Sequence, residues 1–267
     1  MCPPRHFGVE YRINPWMDPT IPADTARAMR QWTELKTIYH RLGHRVEEIE
    51  PVVGLPDMVF AANGAVVLDG RVMGVRFRAP ERAAEAEPYR RWFVEHGFTR
   101  VRMPESINEG EGDFAWTGTL MLAGTGFRTE PAAHAEAQEW FGVPVVSLVL
   151  VDPRFYHLDT ALCVLDPRPE AAATGRPTIA YYPPAFTAGS RRVLEHLFPN
   201  AIIATERDAL AFGLNSVSDG YHVVVTAAAT DLADRLSENG YRPVPVDVSE
   251  LHRAGGGPKC CTLELRN

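Results

Sequence analysis

The sequence predicts a mixed α/β fold: five ββαβ-type modules share a centre and close into a five-bladed α/β propeller with pseudo-fivefold symmetry and its helices outside. Three observations predict it. A helix-like segment, a Gly or Asn stop and a short β-rich run recur five times, at the roughly 50-residue spacing of a propeller-type repeat. Hairpin-like stretches lie between these units. A doubly wound sheet, the plain alternative for such alternation, needs parallel crossovers throughout, and the hairpins argue against it.

The helical segments come in order. Residues 23–42 place Ala26, Met29, Trp32, Leu35, Ile38, Tyr39 and Leu42 at helical spacing. Gly43 follows, as expected at a helix end, and then Val46 and Ile49. Residues 81–96 end at Gly97, before Phe98-Thr99-Arg100-Val101. Residues 130–141 end at Gly142, before Val143-Pro144-Val145-Val146. Residues 187–198 end near Asn200, before Ala201 to Ala204, and residues 229–239 end at Gly240, before Tyr241 to Val244.

The hairpins come between them. Ala65 to Leu68 and Arg71 to Val75 flank Asp69-Gly70, a strong tight-turn signal. Phe114 to Trp116 and Thr119 to Leu122 flank Thr117-Gly118. Ala161 to Leu165 and Thr178 to Tyr182 form a third pair, with Pro167–Pro177 as a long loop, and Asn215 to Ser218 with Tyr221 to Thr226 a fourth, around Asp219-Gly220. The fifth pairs a C-terminal strand, Cys261–Arg266, with an N-terminal strand, Phe7–Arg12. That pairing closes the ring and makes residues 1–267 a single domain.

Composition narrows the function. The chain has 267 residues, 45% hydrophobic and 23% charged, which suits a globular protein with a large core. A net charge of −7 argues against a nucleic-acid partner and is compatible with a cationic small substrate. No run of 18 apolar residues exists, so no membrane helix is expected. The start lacks an apolar leader segment. Four cysteines, Cys2, Cys163, Cys260 and Cys261, with no C-x-x-C pair make neither a disulfide framework nor a structural zinc site. No nucleotide-binding glycine fingerprint is present. A cytoplasmic protein without metal or cofactor is expected.

In a ring, the inner hairpin edges face a common centre. The segments there are 56–64 in the first module, with Asp57 and Asn63; 108–113 in the second, with Glu109 and Asp113; 155–160 in the third, with His157 and Asp159; and 256–260 in the fifth, with Cys260. A Cys and a His with carboxylates is the constellation of nucleophilic catalysis. The thiol must reach the thiolate form, the imidazole can pass a proton to a leaving amine, and carboxylates grip a cation by charge-assisted hydrogen bonds. Each residue alone also has an ordinary reading: His157 as a core or surface histidine, Glu109–Asp113 as an exposed acidic turn, Asp57 and Asn63 as turn residues, the Gly255-Gly256-Gly257 run with Cys260 as a frayed end. Cys163 reads as core and Cys2 as inert. The joint occurrence at matching repeat positions favours the catalytic reading.

Four pieces in this order, Pro56-Asp57-x-Val59-Phe60, Glu109-Gly110-x-Gly112-Asp113, His157-Leu158-Asp159-Thr160 and Gly256-Gly257-x-x-Cys260, resemble the guanidino-group-modifying superfamily with the pentein fold. It includes the dimethylarginine dimethylaminohydrolases, arginine deiminases, arginine dihydrolases and amidinotransferases. The opening residues, with Ile13-Asn14-Pro15-Trp16-Met17, resemble the dimethylargininase-like and dihydrolase branch. The resemblance implies that Cys260 attacks the guanidinium carbon of arginine or Nω,Nω-dimethylarginine through a covalent thiouronium, giving citrulline and an amine. It implies that His157 is the general acid and then the base for water. Glu109 grips the guanidinium, Asp113 shares that task, and Asp159 supports His157 or the substrate nitrogens. Arg128 resembles an arginine that binds the α-carboxylate, with Arg78 a second candidate, and Asp57 counts among the substrate-binding residues. Two departures bear on the reaction. Glu109–Asp113 is one residue longer than the commoner Glu-Gly-Gly-Asp form. Asn63 stands where many relatives carry Asp; in the dihydrolase branch an Asn there, assisted by Asn14, accompanies further hydrolysis to ornithine. Amidino transfer, or a non-enzymatic pentein like the ribosome anti-association factor, are the alternatives. The partners expected are a small guanidino substrate, no nucleic acid and no membrane; a homo-oligomer is compatible with this reading.

Overall fold

The computed structural model describes residues 1–266. The first element is α1, Thr25–Arg41, whose N-cap Asp24 accepts a hydrogen bond from the Arg27 amide. Its buried face is Ala28, Gln31, Trp32, Leu35, Ile38 and Tyr39. The expected stripe holds from Trp32 to Tyr39, while Ala26 is exposed and Met29 and Leu42 are half-buried, because Ala28 and Gln31 turn inward in the first turns instead.

Four small three-stranded sheets follow, each with the same construction. In the first, β1 (Val66–Leu68) and β2 (Arg71–Met73) form an antiparallel hairpin, and α2 (Ala86–Glu95) leads to β3 (Arg100–Arg102), parallel to β2. The hairpin turns through Asp69 and Gly70, with φ of 50° and 66°, the positive values that a two-residue turn of this hand requires. In the second, β4 (Phe114–Trp116) pairs with β5 (Met121–Thr125), and α3 (Pro131–Phe141) leads to β6 (Val145–Val149). The short α4 (Leu158–Ala161) opens the third, where β7 (Leu162–Val164) and β8 (Ile179–Tyr181) are followed by α5 (Ala188–Leu197) and β9 (Ile202–Ile203). After α6 (Glu206–Leu210), the fourth joins β10 (Val217–Ser218), β11 (His222–Thr226), α7 (Thr230–Glu238) and β12 (Arg242–Val246). The last helix is α8, Ser249–His252.

The fifth pairing does not form. Neither Phe7–Arg12 nor Cys261–Arg266 is a strand, and among the described residues no sheet closes into a ring. Each end is tied down elsewhere. The Met1 ammonium donates to the Glu47 carbonyl, and the Met1 carbonyl accepts from the Ile49 amide. The tail is held by side chains instead of a backbone ladder. Leu263 and Leu265 pack against the cluster of Ala65, Val67, Val72 and Phe93. Between them Glu264 donates its amide to buried Glu111 Oε2, 3.0 Å away, and the Gly70 amide reaches the Arg266 carbonyl. The strand-like tail thus lies against the first module instead of pairing with the N-terminal segment.

Phe7, Val9, Trp32, Leu35, Phe60, Val246, Leu251, Cys260 and Cys261 belong to one buried cluster. The third module packs around Leu148, Phe155, Leu158, Leu162 and Tyr181 in another. Cys260 belongs to the first of these clusters, and His157 sits between Phe155 and Leu158 of the second.

Candidate active site

The acidic loop of the second module is folded by its glycines. Gly110 has φ of 60° and lies against the first module, where the Glu111 amide donates to the Ala65 carbonyl at 3.1 Å. A Cβ on Gly112 would stand 2.4 Å from Asn63 Nδ2 and 3.3 Å from the His157 ring, so only glycine lets these side chains meet there. The extra residue relative to the commoner motif is Glu111, and it points away from the cavity. It is 2% exposed; it pairs with Lys259 Nζ at 2.6 Å and with Arg266. It ties down the tail that follows Cys260.

Glu109 joins the two halves of the site. Its Oε2 lies 2.8 Å from His157 Nε2 and 2.9 Å from Arg128 Nη1, and its Oε1 accepts the Arg78 amide at 3.1 Å. Burial by itself would raise this carboxyl, but Arg128 and His157 beside it hold it well below the usual carboxylate range. Asp113, from the same loop, plays a different part. Its Oδ1 accepts the Leu158 amide at 3.0 Å and its Oδ2 the Thr129 amide at 3.2 Å. It thus fixes the loops carrying His157 and Arg128, and burial raises its pKa.

Cys260 Sγ donates to Asp159 Oδ2 at 3.3 Å and accepts from Asn215 Nδ2 at 3.0 Å. Asp159 therefore touches the thiol, while its Oδ1 is buried with no partner. Burial pushes the Asp159 carboxyl up to about 6. Burial, and then the Asp159 charge, push the Cys260 thiol well above its ordinary range.

A small cavity opens beside Cys260, about 10 Å³ in volume and lined by Asn14, Asp57, Asn63, Arg82, Arg128 and Tyr156 among others. That is room for about one water. Hydrogen bonds from Asn14 Nδ2 to the Ala254 carbonyl (3.1 Å), from Tyr156 Oη to the Gly255 carbonyl (2.6 Å) and from Arg128 Nη2 to the Ile13 carbonyl (2.7 Å) close it over. Asn63 donates to the Glu109 carbonyl at 2.9 Å and accepts from Arg82 Nη1 at 2.8 Å, so both ends of its amide are engaged. Asp57 accepts from Tyr11 Oη at 2.9 Å and keeps Oδ1 unpaired; burial raises its pKa. A larger cavity of about 300 Å³ lies elsewhere, between α1, the N-terminal segment, the fourth hairpin and the tail. It holds none of these acids, and several of its charges are already paired with one another, as Arg266 is with Glu264 at 2.8 Å.

Of the residues expected from sequence, Asn14, Asp57, Asn63, Arg128 and Cys260 line the small cavity. Glu109, Asp113, His157 and Asp159 are not among its lining: Glu109 is bonded to Arg128 and His157, Asp113 to the Leu158 and Thr129 amides rather than sharing the grip of Glu109, and Asp159 to the Cys260 sulfur rather than to His157. Arg78 is apart: its guanidinium is exposed, with Nε on the Arg128 carbonyl and Nη2 3.4 Å from Glu130. The arginine that reaches the cavity is Arg82, 3% exposed, bidentate to Glu85 and stacked over Phe77. Arg82 was hidden in sequence because it opens a helix-like segment where arginine is ordinary. Asn215 was missed as well. It opens the fourth hairpin, Asn215 to Ser218, at the position equivalent to the other polar segments, so the repeat itself held the signal.

No family model matches the chain. It is 51% identical to the N(G),N(G)-dimethylarginine dimethylaminohydrolase of Mycobacterium tuberculosis over 265 residues, 99% of this chain and 84% of that protein. It is 38% identical to the bifunctional arginine dihydrolase/ornithine cyclodeaminase ArgZ of Synechocystis over 271 residues, covering 99% of this chain but 37% of that longer protein. Among solved structures, the N-terminal domain of ArgZ, as a cysteine-to-serine variant bound to substrate, superposes with a TM-score of 0.91 at 36% identity, covering 100% of this chain and 97% of that one.

Proposed function

Because the chain belongs to the dimethylarginine dimethylaminohydrolase family, we propose that it is a cysteine hydrolase cleaving a C–N bond of an arginine-type guanidinium. The observation that carries this reading is Cys260 at a closed cavity whose lining offers both Arg128 for a carboxylate and the unpaired Asp57 oxygen for a cationic nitrogen.

The chemistry follows from the charges. A guanidinium carbon is resonance-stabilised and a poor electrophile, so it must be oriented and its charge localised. The bound cation also offsets the Asp159 carboxylate that holds the thiol protonated, so substrate binding itself favours the thiolate. Sulfur attacks carbon, a C–S bond forms, and the π pair moves to nitrogen. His157 passes a proton to the departing nitrogen, the C–N bond breaks, and ammonia or dimethylamine leaves a thiouronium on Cys260. Water, giving its proton to His157, adds to that carbon. The C–S bond then breaks as the hydroxyl proton passes to solvent, releasing citrulline and the thiolate. Glu109 holds the imidazole through both transfers. An arginine needs far more room than one water, so the 13–17 and 254–257 segments must part to admit it.

Hydrolysis onward to ornithine is the second reading, favoured by the neutral Asn63 at the cavity, whose amide takes one donor and gives one. Incubation with arginine, dimethylarginine and agmatine separately, with products identified by mass, tests both. Citrulline with ammonia or dimethylamine supports the first reading, and ornithine the second. No turnover of any of the three sinks both.

We further infer that residues 247–266 together with 1–51 take the place of a fifth blade and that the chain is one domain. The support is the cluster in which Phe7 and α1 pack with Val246 and Cys260. A single cooperative unfolding transition is expected; two separate transitions would count against it.

A further inference from the structure

We propose that Asn215 is a further catalytic residue of this site: its side-chain amide holds the Cys260 sulfur and stabilises the thiolate that attacks the substrate. The inference rests on Cys260 being the nucleophile.

The geometry is a two-point clamp. The Cys260 main-chain amide donates to Asn215 Oδ1 at 2.9 Å, and Asn215 Nδ2 donates to Cys260 Sγ at 3.0 Å. The first bond settles which end of the side chain is which. A main-chain N–H is only a donor, so the carbonyl oxygen must face it, and the NH2 group is left towards sulfur. Its second hydrogen goes to the Asp159 carbonyl at 3.1 Å, and the Lys259 amide donates to the Asn215 carbonyl at 3.1 Å. All the polar atoms of this side chain are therefore committed, and the amide plane cannot turn away from the thiol.

The surroundings are built to admit it. Asn215 is fully buried, and a Cβ on Gly257 would stand 2.8 Å from its Oδ1. Three residues upstream Phe212 has φ of 57°, and its carbonyl accepts the Asn215 amide at 3.0 Å. A left-handed aromatic residue is uncommon and costs conformational energy. It is retained here in the turn that delivers Asn215 to the sulfur.

Charge explains why an amide serves best. Asp159 Oδ2, 3.3 Å from Sγ, accepts the thiol proton and repels the thiolate. Asn215 supplies the one side-chain N–H on Sγ among the described residues, and it adds no charge. A hydrogen bond to a charged group is the stronger kind, so the amide favours S⁻ over SH.

Alkylation of Cys260 by iodoacetamide, followed by peptide mass across pH and without substrate, reads the thiolate directly. It does not depend on which guanidine is turned over, so it stands apart from the substrate reading. Asn215→Ala is expected to move the midpoint up by about one pH unit, with about tenfold slower alkylation below the midpoint. Asn215→Asp keeps the shape and places a second carboxylate against sulfur, so its midpoint is expected to rise further. If Asn215→Ala does not fold, Asn215→Asp alone carries the reading. Midpoints equal to wild type in the folded variants overturn the proposal.

Discussion

Glu109 Oε2 lies 2.8 Å from His157 Nε2. The same oxygen accepts from Arg128 at 2.9 Å, so one buried carboxylate orients the imidazole and neutralises the cavity arginine at once. The site is balanced on that atom.

Glu109→Gln keeps the shape and removes the charge. Arg128, 5% exposed, then has no acid partner, and an uncompensated buried charge costs on the order of 3–5 kcal/mol. Urea denaturation at pH 7 should show a loss of that order, and turnover should fall by about 100-fold or more. The sign with pH follows from the lowered carboxyl. Its contribution is full above the ordinary glutamate value of 4.5 and fades as pH falls below it. The stability gap between wild type and variant should therefore narrow on acidification. An equal gap at pH 3.5 and pH 7 would contradict this assignment.

Asp159 carries the opposite sign. Burial raises its carboxyl to about 6 from 3.8, so between those values the folded state holds the proton that the unfolded chain has released. Stability falls as pH rises through that window. Asp159→Asn removes the buried charge and keeps an acceptor for the Cys260 thiol. It is expected to be inactive yet more stable than wild type at pH 7, by up to about 3 kcal/mol, with little difference at pH 4. Melting temperatures at the two pH values check it; a variant no more stable at pH 7 rules it out.

Gly112 is a packing requirement of the site. In Gly112→Ala the new methyl meets Asn63 Nδ2 at 2.4 Å, and Asn63 is held on its other side by Arg82. With His157 3.3 Å away, relief must come from moving Asn63 or His157. Turnover should drop by about 10- to 100-fold, as for other small misplacements of reacting groups, with a destabilisation of about 1–3 kcal/mol. Unchanged steady-state kinetics would show that the loop gives instead.

Much of this was legible in one dimension because the module is short and local. Asp69-Gly70 specifies a turn, Gly142 stops α3 with φ of 71°, and the apolar stripe of α1 needs no partner to be recognised. The repeat then placed Asp57, Asn63, Glu109, His157 and Cys260 at equivalent edges. The tail was misread because apolar Leu263 and Leu265 mark a segment that packs on the protein, not which backbone it lies against. That is decided by Glu111, about 150 residues upstream, whose carboxylate takes the Glu264 amide.

Arg78 and Arg82 mark the same limit. Arg82 lies at the head of a helix-like segment and Arg78 just before it, and sequence offers no way to tell which points inward. The structure turns Arg82 in, where Glu85 and Asn63 meet its guanidinium, and leaves Arg78 outside.

By itself the sequence determined the ββαβ repeat, the edges where polar residues gather and which thiol follows the glycine run, since turn chemistry and periodicity act over a few residues. Only the tertiary structure decided which partner each buried group takes. Asp159 goes to the Cys260 thiol, Asp113 to two backbone amides, and Asn215 to the same sulfur. A buried polar atom must find its complement in three dimensions, and the partners Asp159 and Cys260 lie 101 residues apart.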